Sequence, residues 1–140
     1  MLGRLVDLLQ PAHVAPDTEE EALYVKRLRD IYPDLKRVDS SYPFGNLLPI
    51  FQNESDVNII NLETAITTHA TKWPHKAFNY RMHPMNVTIL QNAKIDYCSL
   101  ANNHILDYGV TGLWDTMRSL ARAGISNAGM HRRVLSNLSK

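Results

Sequence analysis

The segment Ile95-Asp96-Tyr97-Cys98-Ser99-Leu100-Ala101-Asn102-Asn103-His104 carries the strongest structural signal in this chain. Its apolar run, Ile95 to Ala101, predicts a buried strand, and polar side chains follow directly where that strand ends. In α/β proteins the carboxyl ends of the strands face the crevice in which ligands bind. Asparagine oxygen and histidine nitrogen can both bind a divalent metal, and histidine also exchanges protons near neutral pH. The segment therefore predicts a functional site at a strand end.

Other parts of the sequence predict strands and helices around this segment. Val57 to Leu62 and Ile125 to Ala128 predict two more strands. Helices are predicted from Pro84 to Ala93 and from Thr111 to Ala123, with Gly124 as the C-terminal cap of the second. The order strand, helix, strand, helix, strand is typical of a parallel α/β sheet.

Two further stretches have more local signals. The segment after Thr18 has the form of a capping box and carries apolar residues at helical spacing, so it predicts a helix that Pro33 ends. The segment from Thr64 to Lys76 contains Trp73 and Pro74 without a clear periodicity, and it predicts an irregular loop.

The composition is that of one globular domain. The chain has 140 residues, of which 44% are hydrophobic and 21% charged, and its net charge is +1. That charge gives no electrostatic basis for binding nucleic acid or an anionic membrane. Cys98 is the one cysteine and lies inside an apolar run, so it is predicted to be a small buried side chain. Neither a transmembrane run nor a signal peptide is recognisable, and the compartment stays open.

Short motifs follow one another in a fixed order along the chain. They are Met1-Leu2-Gly3-Arg4, Phe44-Gly45-Asn46, Asn61-Leu62-Glu63, Lys76-Ala77-Phe78, Tyr80-Arg81, Asn102-Asn103-His104, Gly112-Leu113, Asp115-Thr116 and Ala123-Gly124-Ile125. This order and spacing resemble the capsule synthesis protein CapA family, which is associated with poly-γ-glutamate synthesis and is similar to calcineurin-like metallophosphatases. The resemblance covers residues 1–129 and leaves residues 130–140 as a polar tail. It implies a partial metallophosphatase-like α/β sandwich in which mostly parallel strands alternate with helices.

The resemblance also implies roles for particular residues. Asn103 matches a metal-binding asparagine, and Glu63 lies at the strand end where a bridging carboxylate is expected. His104 matches the neighbouring catalytic histidine. Oxygen ligands combined with imidazole suit a divalent manganese, iron or zinc ion as cofactor. Three basic residues are implied to contact an anionic substrate, either a small molecule or a polymer: Arg4, Lys76 and Arg81.

Taken singly, these residues also have structural interpretations. Asn102 and Asn103 are typical of turns, His104 is compatible with a structural role, and Glu63 with a solvated strand end. Asp107 is interpreted as a cap of the turn that follows it. The remaining histidines have no motif support and are interpreted as surface or loop residues: His69, His75, His83 and His131.

The sequence departs from the family pattern at both ends. In the family a Gly-Asp pair, whose aspartate binds the first metal, precedes the motif that begins here at Met1, and further histidines follow the region of Gly129. We therefore expect an incomplete fold and a weakened metal site.

Three functional interpretations stay open. The first is a truncated phosphoesterase-type site of a capsule synthesis protein, either active or inactive. The second is a non-catalytic relic or binding module that has lost its metal site. The third is an unrelated α/β domain that binds a small nucleotide or sugar, against which the absence of a glycine-rich phosphate loop counts.

Overall fold

The computed structural model describes residues 30–33 and 40–130. Within this part of the chain the α-helices are α1 (Leu48–Asn53), α2 (Thr88–Asn92) and α3 (Gly109–Arg122). The strands are β1 (Ile59–Asn61), β2 (Ala65–Ile66), β3 (Arg81–Met82), β4 (Tyr97–Ser99) and β5 (Ser126–Ala128). Single 3₁₀ turns, Gly45–Leu47 and Pro84–Val87, lead into α1 and α2.

Three of the strands form a parallel sheet with β4 in its centre. The strand order is β1-β4-β5, and Cys98 pairs with Ile60 on one side and with Asn127 on the other. Each strand lies inside a segment that the sequence predicts as a strand, although each is shorter than that segment. The parallel α/β architecture expected from the sequence is therefore confirmed.

The structure contains a second sheet of two strands, which the sequence does not predict. Strands β2 and β3 pair in parallel, with Ala65 opposite Arg81 and Ile66 opposite Met82. The interpretation of the segment from Thr64 to Lys76 as an irregular loop is therefore wrong where β2 lies. Strands of two residues are too short to show the alternation that identifies a strand, so long-range pairing alone defines them.

Helix α3 joins the two sheets through its buried face. Leu113, Thr116 and Leu120 recur at helical spacing and are fully buried, and the helix packs against β2. The Thr116 hydroxyl accepts a hydrogen bond from the Ile66 backbone N–H at 2.8 Å and donates one to the Gly112 carbonyl at 2.7 Å. A polar side chain thus pairs an amide of β2 that would otherwise be buried without a partner.

Helix α3 ends just before Gly124, which has the terminating role that the sequence predicts. Gly124 has a positive φ of 75°, which glycine adopts without a steric penalty. The Ile125 N–H donates to the Leu120 carbonyl at 2.9 Å, and the Gly124 N–H donates to the Ala121 carbonyl at 3.1 Å. These two bonds form a Schellman motif, which turns the chain directly into β5.

The hydrophobic core lies between the three-stranded sheet and the helices. It includes Leu100 after β4 and Leu90 on α2, both essentially inaccessible to solvent. Full burial of one such side chain stabilises a fold by about 1.5–3 kcal/mol. Cys98 belongs to this core and has an exposed fraction of 0%, which confirms the prediction of a small buried side chain.

The outer edge of β1 is open within the described ranges. No described strand pairs with that edge, and Val57 and Ile59 are 60% and 65% exposed. Parallel strands are usually covered on both faces, so exposed apolar side chains beside an unpaired strand edge are unusual.

Some predictions concern residues that the structure does not describe. Asp30 and Ile31 are helical, and the rest of the helix predicted after Thr18 lies outside the described residues. Arg4 and His131 also lie outside them. In the part that is described, no helix has the length and apolar character needed to cross a lipid bilayer.

Gly129 and Gly124 provide a matched test of the packing beside β4. Both have positive φ values, but a Cβ atom on Gly129 would lie 2.4 Å from the Ala101 backbone nitrogen, whereas one on Gly124 would meet nothing within 4 Å. We expect Gly124→Ala to lower the free energy of unfolding by about 1–2 kcal/mol through its backbone conformation alone. Gly129→Ala should cost about 1–3 kcal/mol more, because backbone atoms must move. Urea denaturation measures both, and equal losses would contradict the described contact.

The Cys98 thiol provides a test of the core itself. Burial raises the pKa of this thiol from 9.0 to about 11. At pH 8 the thiolate fraction, and with it the rate of alkylation by iodoacetamide, should be about 10²-fold lower than for an unperturbed thiol. Because the folded state keeps this proton between pH 9 and 11 and the unfolded state loses it, the thiol lowers stability as the pH rises through that range. Rapid alkylation of the native chain, at the rate measured in urea, would show that Cys98 is not buried.

Candidate functional site

The candidate site lies where β1 and β4 end side by side. The Leu62 N–H donates a hydrogen bond to the Ser99 carbonyl at 3.0 Å, which continues the parallel pairing one residue beyond β1. The chain then leads to Glu63 from β1 and to Asn103 and His104 from β4. The structure therefore brings Glu63 and His104 together from segments about 40 residues apart, at the sheet edge where α/β proteins bind ligands.

The two consecutive asparagines have different surroundings. The Asn102 amide donates to the Leu62 carbonyl at 2.9 Å and to Asn61 Oδ1 at 3.1 Å, and its oxygen accepts from the His104 N–H at 3.0 Å. Asn102 therefore ties the two strand ends together. Asn103 is exposed, and its side chain makes no hydrogen bond to any described residue. Asn103 is thus the asparagine whose amide oxygen is available for a ligand.

His104 is held on two sides. Its side chain is 9% exposed, and its Nδ1 atom lies 2.7 Å from Asp107 Oδ2. The Tyr80 ring stacks on the imidazole with a centroid distance of 4.2 Å and an interplanar angle of 23°. The other ring nitrogen, Nε2, lies 3.8 Å from Glu63 Oε1. One nitrogen therefore contacts a buried carboxylate, and the other points towards the partly exposed Glu63.

Asp107 is the centre of this arrangement. Its side chain is 0% exposed and contacts three groups: His104 Nδ1, the Lys76 ammonium and the Tyr80 backbone N–H. The interpretation of Asp107 as a cap of the turn that follows it is therefore wrong, because the carboxylate bonds to His104 before it and to the distant Lys76 and Tyr80. The position of Asp107 three residues after His104 is the one sequence signal for their contact. The sequence alone does not show whether the partners of Asp107 are near it or far from it along the chain.

Lys76 contacts Asp107 directly, and Arg81 lies against Tyr108, the residue that follows Asp107. The Lys76 ammonium donates to Asp107 and to the Asn103 carbonyl oxygen, and its side chain is 24% exposed. The Arg81 guanidinium donates to the His69 carbonyl at 2.8 Å and lies 4.9 Å from the centre of the Tyr108 ring. Their predicted contact with an anionic substrate stays a prediction, since each cation also has partners within the protein.

The other described histidines lie in turns and loops, as expected. His75 has a positive φ of 57° and is exposed. His83 precedes the Pro84 turn, and its Nδ1 accepts a hydrogen bond from the Met85 N–H at 3.2 Å.

The donor chemistry near His104 suits a divalent metal only in part. Glu63 supplies an exposed carboxylate and Asn103 an exposed amide oxygen, which are the hard donors that manganese prefers. Within residues 30–33 and 40–130, however, no group of three or more His, Cys, Asp or Glu side chains is arranged to hold a metal ion. A metal here would therefore need water or residues outside the described ranges to fill its coordination sphere.

Sequence comparisons assign the chain to a family. Residues 3–137 match the family described as bacterial capsule synthesis protein PGA_cap. Two relatives, each named a probable polyglutamine synthesis accessory protein and found in two strains of Mycobacterium tuberculosis, are 40% identical to this chain over 143 residues. The alignment covers 97% of this chain and 38% of each relative, so the chain spans well under half of their length. This chain belongs to the PGA_cap family of bacterial capsule synthesis proteins.

Proposed function

We propose that this chain serves the synthesis of a poly-γ-glutamate type capsule through a metal-dependent, phosphoesterase-type site at the ends of β1 and β4. The observation that carries the proposal is the contact set of His104, with Asp107 on one ring nitrogen and Glu63 facing the other. The relatives named as polyglutamine synthesis accessory proteins support the biological role. The substrate would be an anionic small molecule or polymer.

His104 would exchange a proton with substrate at Nε2. With its proton on Nδ1, where the Asp107 carboxylate accepts it at 2.7 Å, the ring keeps a free lone pair on Nε2. The stack on Tyr80 fixes the ring plane. A histidine positioned in this way contributes about 10²–10⁴-fold to a reaction that needs general acid or base catalysis.

Glu63 and Asn103 would hold the metal, with the remaining positions filled by water or by residues outside the described ranges. Both side chains are exposed at the strand ends, and the Asn103 main chain is fixed by Lys76. When bound, a divalent metal lowers the pKa of a water ligand and neutralises charge on a phosphoryl oxygen. Arg4 and Arg81 are the candidates for contact with the anionic substrate.

A non-catalytic binding module is the second candidate function. The observation in its favour is that no group of three acidic, histidine or cysteine side chains within the described ranges is arranged to hold a metal. A module of this kind would bind the anionic polymer without hydrolysing a phosphoester. The two functions therefore differ in whether turnover is measurable.

The catalytic role of His104 is tested by hydrolysis of bis(p-nitrophenyl) phosphate in the presence of Mn²⁺. His104→Asn should lower kcat by about 10²–10⁴-fold, because the proton-exchanging nitrogen is lost. His75→Asn is the matched control, since His75 is exposed and asparagine tolerates its positive φ.

Equal rates for the two variants would contradict the role of His104. A wild-type chain that is folded and binds poly-γ-glutamate, but hydrolyses nothing with Mn²⁺, Fe²⁺ or Zn²⁺, would favour the binding module.

The consecutive asparagines provide a second test with internal controls. Asn102→Ala should lower the free energy of unfolding by about 1–3 kcal/mol, because the Leu62 carbonyl and the His104 N–H lose a partner. Asn103→Ala should change stability by less than about 0.5 kcal/mol, since its side chain is exposed, yet it should reduce Mn²⁺-dependent hydrolysis. Urea denaturation and the same assay measure both effects. A larger loss of unfolding free energy in Asn103→Ala than in Asn102→Ala would contradict the proposed roles.

A further inference from the structure

Lys76 contacts the His104 turn from a distant part of the chain. It lies in the long connection between β2 and β3, and its ammonium reaches the site about 30 residues further on. There the ammonium donates to the Asp107 carboxylate and to the Asn103 carbonyl oxygen, and it lies 3.5 Å from His104 Nδ1. The Lys76 ammonium thus lies next to Asn103, His104 and Asp107 at the same time.

The contact with Asp107 compensates a buried charge. A carboxylate that is completely removed from water is stable only when charged or hydrogen-bonding partners replace the water. Among the described residues, Lys76 is the one lysine or arginine that pairs with Asp107. The ammonium therefore holds Asp107 in the place from which its other oxygen bonds to His104.

The contact with Asn103 acts on the main chain. The Asn103 carbonyl accepts from the ammonium while the Asn103 side chain stays exposed. The hydrogen bond therefore limits the rotation of the peptide between Asn103 and His104 and leaves the side-chain amide of Asn103 available. The Tyr80 backbone N–H, four residues after Lys76, adds a second donor to Asp107 from the same connection.

We infer that Lys76 is a positioning residue, which fixes the Asp107–His104 pair and the Asn103 main chain so that His104 Nε2 and the Asn103 amide face the same ligand. The reaction on which it acts is that of the proposed function, so the kinetic part of this inference rests on that proposal. This role differs from direct contact with substrate: a positioning lysine affects turnover, whereas an anion-binding lysine affects substrate affinity.

The kinetic test compares Lys76→Gln with Lys94→Met in the full chain. Lys76→Gln keeps a hydrogen-bond donor but loses the charge, and kcat for bis(p-nitrophenyl) phosphate with Mn²⁺ should fall about 10²-fold while KM changes by less than about threefold. Lys76→Arg, which keeps the charge, should restore kcat to within about tenfold of wild type. Lys94 donates to the Gln52 carbonyl at 2.7 Å and serves as the control with unchanged constants. A raised KM with unchanged kcat in Lys76→Gln would overturn the inference in favour of substrate binding.

A second measurement decides the inference even for a chain that hydrolyses nothing. In ¹⁵N-histidine-labelled protein at one fixed pH, the Nδ1 proton of His104 should give a protected signal in wild type and in Lys94→Met. The signal should broaden or vanish in Lys76→Gln, because Asp107 is no longer held, while the far-ultraviolet circular dichroism stays that of the folded chain. If Lys76→Gln fails to fold, Lys76→Arg takes its place and should keep the signal at a changed chemical shift. An unprotected proton in wild type, or an unaltered signal in the folded Lys76 variant, would overturn the inference.

Discussion

The buried carboxylate of Asp107 is the constraint on which the site depends. It has no access to water, so every hydrogen bond it would make to water must be replaced within the protein. The replacements come from two segments: His104 in its own turn, and Lys76 and the Tyr80 N–H from the connection between β2 and β3. A single charge therefore joins the small sheet to the end of β4 and sets the orientation of the histidine.

The parallel sheet supplies the other half of the arrangement. Main-chain pairing beyond β1, from Leu62 to Ser99, and the three hydrogen bonds of Asn102 keep the two strand ends in register. Gly129 lets β5 approach Ala101 more closely than any side chain would permit. Because most of these contacts involve backbone atoms, the main chain fixes where the Glu63 and His104 side chains begin.

The sequence is sufficient to predict the main sheet and part of the site. Strand-like segments alternating with helices predict β1, β4 and β5, and the position of Glu63 and His104 just beyond two of these segments places both at the carboxyl end of the predicted sheet. The role of Asp107 is not predictable in this way, because its partners Lys76 and Tyr80 lie 31 and 27 residues away and no local pattern encodes that contact. Strands β2 and β3 escape prediction for the same reason, since each consists of two residues whose pairing is long-range.

The central proposal is that the exposed donors at these strand ends would bind a metal next to His104. Titration of Mn²⁺ into the ¹⁵N-labelled chain tests it most directly, because the paramagnetic ion broadens the amide signals of residues nearest to it. The account predicts that the signals of Glu63, Asn103 and His104 broaden first, and that Glu63→Gln weakens the effect without unfolding the chain. Broadening that begins at other acidic residues, such as Glu54 and Asp56, or that is unaffected by Glu63→Gln, would contradict it.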